Sequence, residues 1–113
     1  MWAESKIIFN GKLANRVREE LALFPTLEEK VEKDGLSFWI DQKRVVQVIG
    51  DELLIRCDKQ MTDELSARTG ASPYIRGKRT VKGWLLIDPC GTNRQADLEG
   101  WLIIALTAKA KTR

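Results

Sequence analysis

The sequence predicts an α+β fold of two layers, an antiparallel sheet packed on helices. Three observations predict it. Apolar residues recur at helical spacing near both ends of the chain, at Leu13, Val17, Leu21 and Phe24 and again at Leu98, Trp101, Leu102, Ala105 and Ala108. Between these stretches the period falls to two, over Leu36, Phe38 and Ile40 and over Val81, Gly83, Leu85 and Ile87. Helices set apart from a run of strands form the pattern of a sheet with one face covered. A length of 113 residues without repeats, linkers or low-complexity tracts fits a single domain over 1–113.

Each element has a local reason. Asn10 is placed to cap the first helix, whose polar side carries Lys12, Arg16, Arg18, Glu19 and Glu20. Pro25 stops that helix. Glu28 to Lys33 is charged, which suits an edge strand because charge discourages pairing with a foreign edge. Leu36, Phe38 and Ile40 then alternate with Ser37, Trp39 and Asp41, followed by the apolar runs 45–49 and 53–57. Asp41-Gln42-Lys43 and Gly50-Asp51-Glu52 are the short polar breaks of an antiparallel meander of three or four strands. Asp58 caps a second, short helix with Met61, Leu65 and Arg68 aligned, which Gly70 ends. Residues 73–79 read as a loop or short strand. Val81 to Asp88 is the clearest strand, closed by Pro89 and Gly91. Thr92-Asn93-Arg94-Gln95 has the form of a capping box, which starts the last helix at Thr92 and runs it to about Lys109. The predicted order is α-β-β-β(-β)-α-β-α.

Composition excludes whole classes of chemistry. There is no histidine, so Ser-His-Asp and Cys-His catalysis, His-ligated zinc and imidazole pH switching all fall away. Two cysteines, Cys57 and Cys90, cannot build a four-thiolate site and read as reduced thiols of a cytoplasmic protein. With 43% hydrophobic and 31% charged residues, the chain is too apolar for disorder and too charged for a membrane span. The run Ile7-Ile8-Phe9 is too short for a signal-peptide core, so neither export nor insertion is expected. Net charge is +3, unevenly spread. Residues 1–70 carry 11 Lys/Arg against 13 Asp/Glu, whereas residues 71–113 carry 8 against 3. The positive charge belongs to the C-terminal third.

Two features carry the functional expectations. If Leu36, Phe38, Ile40, Leu85 and Ile87 face the helices, then Trp39, Trp84 and Leu86 lie on the uncovered sheet face. Large apolar side chains there fit contact with a second copy, a homodimer, or with another protein. The alternative is cover from within, by Trp2, Ile7, Ile8 and Phe9. The second feature is the basic cluster Arg76, Lys78, Arg79 and Lys82 beside Tyr74, whose donors suit phosphates and whose ring suits a base. Its bland counterpart is a solvated loop. Glu28, Glu29, Glu32 and Asp34 have no motif spacing, and no glycine-rich phosphate cradle is present. Cys90 lacks a base. No catalytic, metal or cofactor site and no small-molecule substrate are expected.

The stretch Gly77 to Gly91, read GKRTVKGWLLIDPCG, followed by Asp97-Leu98 and Trp101, resembles the N-terminal domain of the TfoX/Sxy family. That family shows a Gly-Arg-Pro-like turn, a basic residue and glycine, an aromatic-apolar strand, Pro-x-Gly and a Leu-x-x-Trp in its last helix. Residues 53–58 are similar to its central strand and the start of its second helix. The resemblance covers about residues 10–110 and matches the stand-alone form. Two departures stand out: Glu32-Lys33-Asp34-Gly35 replaces the usual Phe-Gly-Gly, and Thr80 replaces the proline of the turn. The resemblance implies a fold like that of the type III secretion chaperones and a role in bacterial competence or transcription regulation. It supplies no catalytic site. The similar YjbR-type domains, described as DNA-binding, share this order of elements.

Overall fold

A computed structural model describes residues 9–111. Helix α1 (Gly11–Leu21) leads into a meander of β1 (Glu28–Glu32), β2 (Gly35–Ile40), β3 (Lys43–Ile49) and β4 (Glu52–Arg56). A 3-10 turn, Lys59–Met61, and the one-turn helix α2 (Thr62–Leu65) connect to the hairpin β5 (Ala71–Arg76) and β6 (Arg79–Ile87). Two helices close the chain, α3 (Pro89–Thr92) and α4 (Gln95–Lys111). The six strands form one antiparallel sheet in the order β1-β2-β3-β4-β6-β5. The expected α+β architecture is present.

Helices α1 and α4 cover one face. Leu13, Val17 and Leu21 of α1 and Leu98, Trp101, Leu102 and Ala105 of α4 join Leu36, Phe38, Val46, Val48, Leu53, Ile55, Leu85 and Ile87 in one core. Phe38, Val46, Ile55 and Leu85 are cross-strand neighbours in successive strands and are fully buried, so they form a single apolar rung beneath the helices. Asn10 caps α1 as expected, its Oδ1 accepting from the backbone N–H of Lys12 at 2.9 Å and of Leu13 at 3.2 Å. The helix ends at Leu21, and Phe24 packs against the core beyond it. Asp58 caps the 3-10 turn through a 2.9 Å bond from Gln60 N–H. Among the described residues, no helix is long and apolar enough to cross a membrane.

The structure corrects two expectations. Residues 71–76 are a full edge strand, β5, and the stretch 73–79 is its hairpin with β6, which makes six strands. Alternation failed to mark β5 because it is an exposed edge interrupted by Pro73. The capping box at Thr92 does not form. Asp88 caps α3 first, accepting from Cys90 N–H at 2.9 Å with Pro89 in the first helical turn. Thr92 is therefore buried at the end of α3, and α4 starts at Gln95, whose side chain donates to Glu20 and Glu99 instead.

Two irregularities shape the sheet face away from the helices. Between Phe38↔Val46 and Trp39↔Arg44 the β2–β3 register slips, so Val45 is extra and Arg44 comes level with Trp39. Between Pro73↔Leu85 and Ile75↔Thr80 a single β5 residue, Tyr74, opposes residues 81–84 of β6. Gly83 sits in this buckle at φ +91, a left-handed conformation that favours glycine. Trp2, Ile7 and Ile8, the proposed internal cover, lie outside the described residues. Phe9 forms an isolated bridge with Gly50 and packs on the core.

Candidate functional site

The meander sorts charge between the two ends of the sheet. The 41–42 turn, the exit of β4 and the β5–β6 hairpin all lie at one end, because neighbouring strands run antiparallel. That end holds Lys43, Arg56, Lys59, Arg76, Lys78, Arg79 and Lys82. The C-terminus of α4 adds Lys109 and Lys111, which donate to Asp41 at 2.6 Å and Asp58 at 3.3 Å. Asp41, Asp58, Asp63, Glu64 and Glu28 only partly offset these cations. The opposite end, with the 33–34 and 50–51 turns, carries Glu32, Asp34, Asp51, Glu52 and Asp88 against Lys33 and the Lys12 and Arg16 of α1, which line a groove with Asp51. The charge that follows the C-terminal third in sequence becomes polarity along the strands.

At the basic end a cleft of about 540 Å³ opens between β4, the 3-10 turn, β6 and the end of α4. Its cations are Arg56, Lys59, Lys82 and Lys111, its single acid is Asp58, and the Trp84 ring forms part of its wall. Trp84 pairs with Arg56 across β4 and β6. The guanidinium carbons of Arg44 and Arg56 lie 4.9 and 5.0 Å from its ring centroid, so the indole holds two cations together. Arg56 Nε also donates to the Arg44 carbonyl at 3.0 Å. Burial, with a further contribution from Arg44, lowers the Arg56 pKa from its ordinary value. Lys82 bonds Asp63 at 2.6 Å, while Lys59 makes no ion pair among the described residues. The Gln60 backbone N–H, then Lys111, hold the Asp58 carboxyl below its usual range.

Thr62 is the buried pin behind this cleft. Its Oγ1 accepts the Gly83 N–H at 3.0 Å and donates to the Lys59 carbonyl at 2.9 Å. The Gly83 carbonyl in turn accepts from Cys57 N–H at 2.8 Å. The buckle in β6 is thereby locked to the turn that carries Lys59. A Cβ at Gly83 would meet Lys59 Cγ at 3.2 Å. The Cys57 thiol, 3.7 Å from Thr62 Oγ1, is buried, and burial pushes its pKa up.

The structure places the sequence-derived residues in three groups. Arg76 and Arg79 face each other across the hairpin, with Gly77 at φ +63 and Lys78 in its turn. All four are exposed, and none of the three cations makes an ion pair among the described residues. Lys82 lies in the cleft, and Tyr74 is half-buried opposite residues 81–84. Trp39, Trp84 and Leu86 do share the face away from the helices, and each is half-buried. They are not one patch, since β3 and β4 separate Trp39 from β6, about 14 Å at normal strand spacing.

A polar network surrounds Trp39. Trp39 Nε1 donates to Ser37 Oγ at 2.8 Å, and Ser37 donates to Glu32 at 2.6 Å. Buried Gln47 links Arg44 and Asp34, and Lys30 lies 4.0 Å over the Trp39 ring. Sequence reasoning missed Arg44, Arg56, Lys59 and Lys111 as site residues. Only the position of Lys59 beside the capping Asp58, and of Lys111 at a helix C-terminus, hinted at them.

The remaining candidates stay dispersed. Glu29 is engaged by Arg18, at 2.5 and 2.8 Å. Among the described residues, no group of three or more Cys, Asp or Glu side chains is placed to hold a metal ion. Cys90 is exposed on α3. No protein-family model matches the sequence, and no curated protein matches it.

Proposed function

We propose that this chain is a non-catalytic, homodimeric regulatory module that binds nucleic acid at the basic end of its sheet. One observation carries the reading. The cleft cations Arg56, Lys59, Lys82 and Lys111, with Trp84 in the cleft wall, lie at the same end of the sheet as the exposed Arg76, Lys78 and Arg79 of the hairpin. Phosphates meet several donors along one surface there, and no carboxylate cluster competes for the tip. The resemblance of residues 77–91 to TfoX N-terminal domains adds the direction, regulation of transcription or competence in a bacterial cytoplasm. The motif residues have physical parts in support of it: Gly83 makes the buckle, Asp88 caps α3, and Gly91 packs against Gly70.

Anisotropy of labelled DNA and RNA strands across a salt series tests the proposal. Wild-type affinity should fall steeply with salt. The double change Arg79→Glu and Lys82→Glu should weaken binding at least about tenfold and flatten the slope by about one to two units. Binding that ignores salt, or that survives the double change unaltered, refutes it.

A further inference from the structure

The basic cleft draws its cations from more sides than a track for an extended strand requires. Arg56 comes from the end of β4, Lys59 from the 3-10 turn, Lys82 from β6 and Lys111 from the end of α4. Four elements thus bring positive charge to one volume of about 540 Å³, within the range of pockets that hold small ligands. Asp58 is the one carboxylate in the lining, so the wall carries a net +3, or +2 once Asp63, the partner of Lys82, is counted. A phosphodiester inside a strand brings a single negative charge. A phosphomonoester brings close to two at neutral pH, with three acceptor oxygens. The cleft matches the second in charge and in the number of directions from which donors arrive.

Lys59 is prepared for such a group. Its stem lies across Gly83, where a Cβ would come within 3.2 Å of Cγ and 3.8 Å of Cε, and it makes no ion pair among the described residues. The Thr62 bond to the Gly83 N–H fixes the backbone beneath that stem, so less freedom is lost on binding than for a loose surface lysine. Trp84 and Arg56, with 5.0 Å between ring centroid and guanidinium carbon, put two planar groups in the wall for a base. Lys82 and Arg79 are three residues apart on β6, about 10 Å at strand rise, so a strand leaving the cleft can reach the hairpin cations. We propose that the cleft holds the terminal nucleotide of a strand, its phosphomonoester among Lys59, Lys82 and Lys111 and its base against Trp84 and Arg56. The assignment rests on the reading of the basic end as a nucleic-acid surface and narrows it to strand ends. A free nucleoside monophosphate offers the same chemistry without the further phosphates that the hairpin engages.

Anisotropy with internally labelled single strands of one sequence, ending in a 5′-phosphate, a 3′-phosphate or neither, tests this on the full chain. One phosphorylated strand should bind at least about fivefold more tightly than the unphosphorylated strand. Lys59→Gln keeps most of the stem over Gly83 and removes the charge, and it should cut that ratio to below about twofold. Arg76→Glu, in the hairpin, should weaken all the strands and leave the ratio in place. A nucleoside monophosphate should displace the phosphorylated strand and the bare nucleoside should not, with the mononucleotide at least about tenfold weaker than the strand. Equal binding of all the strands, with the steep salt dependence intact, would overturn the cleft assignment and leave the nucleic-acid reading standing. A phosphate preference that survives Lys59→Gln would also overturn it, by placing the terminal phosphate elsewhere. Binding of the mononucleotide alone, lost in Lys59→Gln, would overturn the strand reading and give the cleft to a free nucleotide, and binding of neither would remove both.

Discussion

Replacing Thr62 by valine probes the link between the buried core and the basic cleft. Valine keeps the shape of threonine and puts a methyl group where the hydroxyl was, so the change targets one oxygen and its hydrogen bonds. That oxygen accepts the Gly83 N–H at 3.0 Å at a side chain only 1% exposed. Without it the Gly83 N–H is left unpaired away from water, at a cost of about 1–3 kcal/mol. Taking about 2 kcal/mol, and about 4 °C of Tm per kcal/mol for a chain of this size, the melting temperature should drop by about 8 °C. Thr62→Ser keeps the hydroxyl and loses one methyl, about 0.8 kcal/mol at most by transfer, so its drop should be about 3 °C. Melting followed by circular dichroism compares the two. Nucleic-acid affinity measured below both transitions should fall for the valine variant, because the buckle carrying Lys82 loosens. A valine variant melting within a degree of wild type, with serine the more damaged, would show that the Thr62 hydroxyl does not hold the buckle.

Two glycines should respond in opposite directions. Gly70→Ala combines φ +82 with a Cβ only 2.4 Å from the Gly91 nitrogen, so denaturant unfolding should show a loss of at least about 2 kcal/mol. Gly100→Ala meets nothing and removes a flexible residue from mid-helix, so in dilute solution it should gain up to about 1 kcal/mol. Acid should destabilise the fold through Asp41, Asp58 and Glu29, each held below its ordinary value, chiefly by hydrogen bonds from Lys109, from the Gln60 N–H and from Arg18. Their contribution is complete above the unfolded values of about 4 and is lost as pH falls through the lower folded values. Asp41→Asn should flatten that part of an acid titration of stability, and an unchanged slope would remove Asp41 from the account. Thiol titration should show one fast group, exposed Cys90, and one slow group, since Cys57 is 4% exposed and its pKa is raised by burial. Two equally fast thiols in the folded protein would contradict the burial of Cys57.

The elements that sequence reasoning found are those whose apolar residues recur at a regular spacing or run together, as in β3 and β4, which are buried along most of their length. The α1 stripe and the alternation of β2 and β6 each have one side against the core, so their apolar residues keep count. Strand β5 has neither: it is exposed along most of its length, carries a proline and pairs through a three-residue slip. The start of α4 was misplaced because Asp88-Pro89 is also a helix start, and the earlier one forms. The hairpin half of the candidate site was legible, since Arg76 to Lys82 are contiguous. The cleft half was not, because Arg56, Lys59 and Lys111 come from a strand end, a turn and a helix end that meet only after folding. The bulge that brings Arg44 to Trp84 left no mark in the pattern, since Val45 is as apolar as its neighbours.

The opposite signs at the two ends of the sheet give the molecule a lasting dipole along its strands. The seven residues of β3 alone separate those ends by about 20 Å. Near a long anion such a body is turned before it touches, basic end leading, so a larger share of collisions arrives correctly oriented. At physiological salt the field decays over about 8 Å, shorter than that separation, so the acidic end scarcely feels the anion that the basic end is meeting. Orientation then survives as attraction at one end alone, and its contribution to the rate of encounter shrinks faster with salt than the hold of the cleft on a ligand already seated.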